Sequence, residues 1–258
     1  MTPVLAFDIE TIPDTDGLRS LHGLGADSSD AQVAEIAFQR TRLANGSDFL
    51  PLHLQRVVAI SCALREGEHF RVWSLGSTTD PETVLLQRFF EGIEKYTPQL
   101  VSWNGGGFDL PVLHYRSLIH GLQAARYWDM GEDDRDFKWN NYISRYHTRH
   151  LDLMDLLALY QPRNYAPLDQ MAKLAGLPGK MGMEGSQVWE AYKNGEINAI
   201  RNYCETDAVN TYLLYLRFQL LRGAFTQQIY QKECERVRGV LGKAAEPHWR
   251  EFLNNWPT

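Results

Sequence analysis

The spacing of apolar residues along the chain predicts a mixed α/β protein. Short apolar runs typical of strands occur at Met1–Ile9, Val57–Leu64, His69–Leu75, Gln99–Ser102 and His150–Leu153. Segments with apolar residues three and four apart predict helices at Asp30–Ala44, Asp80–Tyr96, Asp109–His120, Leu168–Ala175, Ser186–Lys193 and Glu196–Leu221. This order of strands and helices predicts a mixed sheet flanked by helices, and therefore the α/β class.

Two stretches follow neither period and are predicted to be loops. Pro13–Asp30 is rich in Gly, Asp and Ser, and Tyr127–His150 is mostly polar and aromatic. Gly223 is expected to end the long helix Glu196–Leu221, and one or two further helices are expected after it. We therefore expect one domain over residues 1–222, with residues 223–258 forming a helical extension that packs on its core.

Composition and charge exclude some classes of function. A net charge of −6 argues against a broad basic face that would bind duplex nucleic acid. The longest apolar runs fall far below the roughly 18 residues that span a bilayer, and no signal-like segment follows Met1. Three cysteines without paired spacing fit a reducing compartment. These features predict a cytoplasmic protein without a membrane partner.

Acidic residues occur in three apolar or glycine-rich segments. Asp8 and Glu10 follow the first apolar run, and their spacing of two places both on one face of a strand, near its end. Asp109 follows a glycine turn, where it either serves the site or caps the next helix. Asp207 lies four residues after Tyr203, which places both on one helical face. Taken singly, each acid is equally compatible with an exposed or capping role.

The three segments together resemble the motifs of the DEDD superfamily of 3′→5′ exonucleases, in its tyrosine subclass. The resemblance is to stand-alone exonucleases similar to the proofreading domain of family-B DNA polymerases, and it covers roughly residues 4 to 216. Asn202 stands where the histidine subclass has its histidine. The resemblance implies a ribonuclease H-like fold and release of 5′-mononucleotides from the 3′ end of a single-stranded nucleic acid.

The resemblance also implies a role for each motif residue. Asp8, Glu10, Asp109 and Asp207 would hold two divalent metal ions, Mg²⁺ or Mn²⁺, with Asp8 bridging both. Tyr203 would orient the attacking water, because a phenol with a pKa near 10 is a poor base at neutral pH. Carboxylates suit such ions, and two adjacent ions can clamp an in-line phosphodiester cleavage.

Further residues have a functional and a structural interpretation. Trp103 and Phe108 flank the glycine turn and would stack on terminal bases, or belong to the core. Asn104 opens the same turn and is a further candidate for substrate binding. Lys180 lies in a Pro/Gly-rich loop, where it would reach a substrate phosphate or remain exposed. Asp152 would support the site or cap the helix that follows it.

The leading hypothesis is therefore a metal-dependent 3′→5′ exonuclease. A non-catalytic nucleic-acid-binding module of the same fold is a second hypothesis, although all four acids and the tyrosine are present. A phosphoesterase acting on short oligonucleotides is a third. The motifs do not separate DNA from RNA substrates, since that choice depends on contacts to the 2′-OH.

Overall fold

A five-stranded mixed sheet forms the centre of the computed structural model, which describes residues 2–25 and 27–257. The strands are β1 (Val4–Pro13), β2 (Gln55–Glu66), β3 (His69–Ser74), β4 (Gln99–Ser102) and β5 (His150–Asp152). Their order in the sheet is β3-β2-β1-β4-β5. β1 pairs antiparallel with β2 and parallel with β4, and β5 is parallel to β4. The predicted mixed sheet is confirmed.

Helices cover both faces of this sheet. They are α1 (Thr15–His22), α2 (Asp30–Asn45), α3 (Glu82–Tyr96), α4 (Asp109–His120), α5 (Ala125–Trp128), α6 (Leu153–Leu157), α7 (Leu168–Leu174), α8 (Val188–Lys193), α9 (Ile197–Leu221), α10 (Gln227–Leu241) and α11 (Pro247–Asn254). None of the helices in the described residues is long and apolar enough to cross a membrane.

Side chains along β1 point alternately to the two faces of the sheet, and they contribute to a separate apolar layer on each face. Leu5, Phe7 and Ile9 point toward α3 and α4, where they join one apolar cluster. Val4 and Ala6 point the other way and pack with residues of α9. Because side chains alternate along a strand, Asp8 and Glu10 fall on the α9 side. The alternation of side chains along β1 thus places both acids on the face that α9 covers.

The first strand and the segment after it differ from the sequence prediction. β1 does not end near Glu10 but continues to Pro13, with its register against β2 shifting between Glu10 and Thr11. Pro13–Asp30 is not all loop, since it contains α1, whose start is capped by the Asp14 carboxylate. α1 is eight residues long and buries only Thr15 and Leu18, so it has too few apolar positions for the sequence to predict a helix.

The last two helices pack on the same apolar cluster as the sheet and α9. Val237, Trp249 and Phe252 are buried there together with Val4 and Ala6. A buried ion pair adds to this contact, with Arg65 Nε of β2 lying 2.6 Å from Glu233 Oε2 of α10. The division into residues 1–222 and an extension over 223–258 stays a prediction.

Candidate active site

Asp8 and Glu10 lie where β1 extends beyond its parallel neighbour. β4 pairs only with Val4–Ala6 of β1, so the next inward-facing positions of β1 are left uncovered on that side. Glu10 is buried and Asp8 is partly exposed. The two carboxylates thus stand on a rigid central strand, though not at its end.

The second motif forms a tight turn between β4 and α4. Asn104 has a φ of +70°, and its carbonyl accepts hydrogen bonds from the amides of Gly107 and Phe108 at 3.0 and 2.9 Å. A Cβ at Gly105 would lie 2.3 Å from Ser102 Oγ, a distance that no side chain tolerates. The turn therefore requires glycine at residue 105 and places Asp109 at the start of α4.

Asp109 faces the first strand. Its Oδ1 accepts a hydrogen bond from the Ile9 amide at 3.2 Å, and α4 shows no side-chain cap at its N-terminus. The helix-capping interpretation of Asp109 is therefore wrong. This bond joins the first motif to the second, across 100 residues of sequence.

Asp152 holds the glycine turn from the neighbouring strand. Its Oδ1 accepts from the Asn104 amide at 3.0 Å and its Oδ2 from the Gly106 amide at 2.8 Å. Oδ1 also caps α6 by accepting from the Asp155 amide. Both interpretations of Asp152 thus apply at once, because one carboxylate supports the turn and caps a helix.

The third motif reaches the site from α9. Tyr203 and Asp207 are buried on the helical face that meets the sheet, as their spacing predicts, together with Cys204, Ala208 and Thr211. The Cys204 thiol donates to the Asp8 carbonyl at 3.2 Å. Small residues let the helix approach β1 closely, so Asp207 lies among the other acids.

Lys180 lies inside the acidic cluster and is not an exposed loop lysine. Its Nζ is 3.0 Å from Asp207 Oδ2 and donates to the Tyr203 hydroxyl. The backbone around it is fixed. The buried Asn210 side chain bonds both the carbonyl and the amide of Gly179 at 2.8 and 3.2 Å, and Asp169 accepts from the Lys180 amide at 2.7 Å.

Burial raises the pKa of every acid in the cluster, and repulsion between the acids adds to this effect for Asp8, Glu10 and Asp109. For Asp8, burial is the largest cause, followed by the charges of Glu10, Asp109 and Asp207. Burial also raises the pKa of Glu10 and of Asp207, the latter against the opposing effect of Lys180. Burial brings the pKa of Asp109 to about 7. Four acids thus face a single lysine, so the folded protein disfavours their full ionisation.

Several features of the cluster fit divalent cations. Asp8 Oδ2 and Asp207 Oδ1 are buried and make no hydrogen bond within the described residues, although buried polar atoms are ordinarily paired. Carboxylate oxygens of Asp8 and Glu10 and the Cys204 sulfur lie within 4.8 Å of one another. Oxygen donors with unused lone pairs are what Mg²⁺ and Mn²⁺ prefer, whereas the Cys204 thiol is already used as a donor.

The three substrate residues predicted around the turn have different surroundings. Trp103 packs against the core, and its indole donates to the Ala166 carbonyl at 2.9 Å. Asn104 and Phe108 line a groove that Glu10 also lines, with Phe49 and Trp189 on its walls. The Phe108 ring packs against that of Phe49 at 5.7 Å. A stacking role thus suits Phe108 better than Trp103.

The residues that position the site without touching its centre are not predicted from the sequence. Asn210 and Asp169 hold the Lys180 loop, yet both lie on helices where polar residues are common. Asn210 is fully buried, and a polar residue at a helix position that its neighbours predict to be buried is the available signal. In the aromatic segment 127–150, Tyr127 and Tyr142 are buried, and their rings are stacked 5.4 Å apart. Both belong to the apolar core.

Comparison with known proteins agrees with this geometry. Residues 47–256 match the family described as "Predicted 3'-5' exonuclease related to the exonuclease domain of PolB". The chain is 30% identical over 142 residues to the DNA polymerase epsilon catalytic subunit of Saccharomyces cerevisiae, covering 53% of this chain and 6% of that protein. It is 25% identical over 139 residues to a DNA polymerase of Archaeoglobus fulgidus, covering 53% and 17%.

A solved structure supports the fold. The family B DNA polymerase from Pyrobaculum calidifontis matches with a TM-score of 0.51 and 16% identity, over 85% of this chain and 25% of that one. The predicted α/β class, with a mixed sheet of the ribonuclease H-like kind flanked by helices, is confirmed. The family match covers about four fifths of the chain, and the chain therefore belongs to the family of predicted 3′-5′ exonucleases related to the exonuclease domain of PolB.

Proposed function

We propose that the chain is a metal-dependent 3′→5′ exonuclease that hydrolyses single-stranded nucleic acid to 5′-mononucleotides. The observation that carries the proposal is the meeting of Asp8, Glu10, Asp109 and Asp207 from three distant segments, with two buried carboxylate oxygens lacking hydrogen-bond partners among the described residues. Buried carboxylates that repel one another lower the stability of the fold. Bound cations would offset this repulsion.

Asp8, Glu10, Asp109 and Asp207 would hold two divalent ions. Those ions would lower the pKa of the attacking water and offset the charge on the phosphate. Tyr203 would orient that water through its hydroxyl. Burial, aided by Asp207, raises the pKa of Tyr203 well above its ordinary value, so the phenol keeps its proton and acts as a positioning group.

Lys180 would contact the scissile phosphate. Burial lowers the pKa of its ammonium, but Asp207, Asp8 and Glu10 raise it further, and the net pKa lies above the ordinary value. The side chain is thus charged at neutral pH. Its fixed backbone suits electrostatic stabilisation, in which a pre-oriented charge meets charge developing in the transition state. Asn104 and Phe108 would bind the terminal nucleotide.

Incubation with 5′-labelled DNA and RNA single strands tests the proposal. In Mg²⁺ or Mn²⁺ the products should form a descending ladder with mononucleotides released. Binding without any shortening of either strand would favour a non-catalytic module. Hydrolysis confined to the shortest oligonucleotides would favour a phosphoesterase.

Replacing Tyr203 by phenylalanine should slow turnover by roughly 10–100-fold, at the low end of the range for a positioned proton-handling group. The ring still packs, so the melting temperature should hardly change. Single-turnover kinetics measure the effect, with Tyr212→Phe as the control, because Tyr212 is buried on the same helix but packs beside Phe70. An unchanged rate in Tyr203→Phe would remove the hydroxyl from the mechanism.

Replacing Lys180 by methionine should lower kcat/KM by roughly 10²-fold, since one pre-oriented charge is lost. It should also lower the melting temperature of the metal-free protein, because Asp207 loses the ammonium 3.0 Å away. Lys243→Met, at an exposed position, is the control. If Lys180→Met has the same kcat/KM as the parent protein but a lower melting temperature, Lys180 has only a structural role.

A further inference from the structure

A second cavity borders the glycine turn. Its volume is about 350 Å³, within the range of ligand sites. Its walls include Gly106, Trp128, Tyr146, His147, Tyr160 and Arg222. Gly106 belongs to the turn that places Asp109, so the cavity lies beside the second motif, although none of the four acids lines it. We call it the Tyr146–Tyr160 cavity.

Aromatic rings on its walls are exposed although they are large. The Tyr146 residue is 70% exposed and Trp128 is 49% exposed. Tyr146 meets Tyr160 edge to face, with ring centroids 5.1 Å apart, and the Arg145 guanidinium lies 5.1 Å from the Tyr160 ring. Exposed rings held by neighbouring groups offer faces on which a flat ligand can stack.

The backbone that carries Tyr160 is strained. Leu159 and Tyr160 have φ values of +52° and +61°, a region that side chains with a Cβ rarely adopt. The bend is held by hydrogen bonds from the Leu159 amide to Leu156 O at 3.0 Å and from the Tyr160 amide to Asp155 O at 2.8 Å. Strain of this kind concentrates at binding and catalytic sites.

Asp155 organises the wall and neutralises one of its charges. Its carboxylate pairs with Arg145 at 2.7 Å and accepts from the Tyr165 hydroxyl at 2.8 Å. Arg222, at the end of α9, is exposed and forms no ion pair with the described residues. The cavity therefore combines exposed aromatic faces with an unpaired cation at its edge among the described residues, a combination that single-strand binding sites use.

We propose that the Tyr146–Tyr160 cavity binds a base of the single strand upstream of its 3′ end, with Arg222 contacting a neighbouring phosphate. The inference rests on the proposed function, because the strand would run from the acidic cluster past Gly106 into the cavity. Tyr146 and Arg222 are then residues that set the preference for longer strands.

The test measures binding of a fluorescently labelled 12-nucleotide single strand and of a dinucleotide to the full chain in EDTA, where the proposed hydrolysis cannot run. The parent should bind the 12-mer more tightly than the dinucleotide. Tyr146→Ala should weaken 12-mer binding roughly tenfold, as the loss of one stacked base predicts. Arg222→Ala should reduce the slope of log K against log salt by about 0.7, the value for one single-strand phosphate.

Trp139→Ala is the matched control, because Trp139 lies in the same segment, is 76% exposed and does not line the cavity. It should bind both ligands as the parent does. Circular dichroism melts should show that all three variants fold.

Equal affinity of the parent for 12-mer and dinucleotide, or parent-like 12-mer binding by Tyr146→Ala, would overturn the inference, whether or not the protein hydrolyses these ligands.

Kinetic measurements separate the proposed binding site from the proposed function. Both variants should hydrolyse a dinucleotide like the parent but show a raised KM for the 12-mer. If the parent hydrolyses neither ligand while the binding results hold, the exonuclease proposal fails and the binding site stands.

Discussion

Asp8→Asn should reduce exonuclease turnover by at least roughly 10²–10³-fold, the loss that follows removal of one group stabilising developing charge. Asp8 stands on the central strand, and three other acids raise its pKa. Asparagine has the same shape but lacks the charge that a divalent ion needs. Asp109→Asn and Asp207→Asn should have similar effects, measured as single-turnover rates on a short single strand.

The same substitution should raise the melting temperature of the metal-free protein. A raised pKa means that the folded state disfavours the carboxylate charge, which therefore costs stability at neutral pH. A neutral amide removes that cost. Glu205→Gln is the control, because Glu205 lies on α9 near Asp207 but bonds Ser74 and His248 instead. Parent turnover in Asp8→Asn would contradict its assignment, whereas the control should keep parent turnover.

Removing divalent ions with EDTA should abolish turnover, and adding Mg²⁺ or Mn²⁺ back should restore it. The ions should also stabilise the fold, because a ligand bound only by the folded state adds about 2.7 kcal/mol at a hundred times its Kd. Thermal melts with increasing Mn²⁺ measure this effect independently of activity.

Asp8→Asn should lose most of the Mn²⁺-induced rise in melting temperature, while Glu205→Gln should keep it. Full activity in EDTA would contradict the metal requirement. A rise in melting temperature that is equal in Asp8→Asn and the parent would place the ions elsewhere on the protein.

The elements that carry the four acids are predictable from the sequence because each has a strong local signal. α4 begins at Asp109 and ends before Gly121, as its pattern indicates. α9 is long and mostly apolar, and it is buried on all sides from Thr206 to Leu216. Alternation along β1 is likewise a local property, so the common face of Asp8 and Glu10 follows directly from their spacing.

The features that the sequence mispredicts or leaves open depend on distant partners. The continuation of β1 to Pro13 depends on pairing with β2, where Thr11 lies opposite Val57. Lys180 has the local sequence of a loop residue. Its position is fixed by buried Asn210, which bonds the preceding Gly179 and lies 31 residues after that glycine in the sequence. Trp103 is ambiguous until its partner, the Ala166 carbonyl, is known. Local spacing contains no information about such contacts.

Three forms of one single-stranded oligonucleotide in Mg²⁺ test the 3′→5′ exonuclease activity most directly: linear with a free 3′-OH, linear with a 3′-phosphate, and circular. The 5′-labelled linear strand with a free 3′-OH should shorten one nucleotide at a time. The blocked and circular strands should persist, and Asp8→Asn should leave all three intact. Cleavage of the circle, or early release of the labelled 5′ nucleotide, would contradict the proposed 3′→5′ exonuclease.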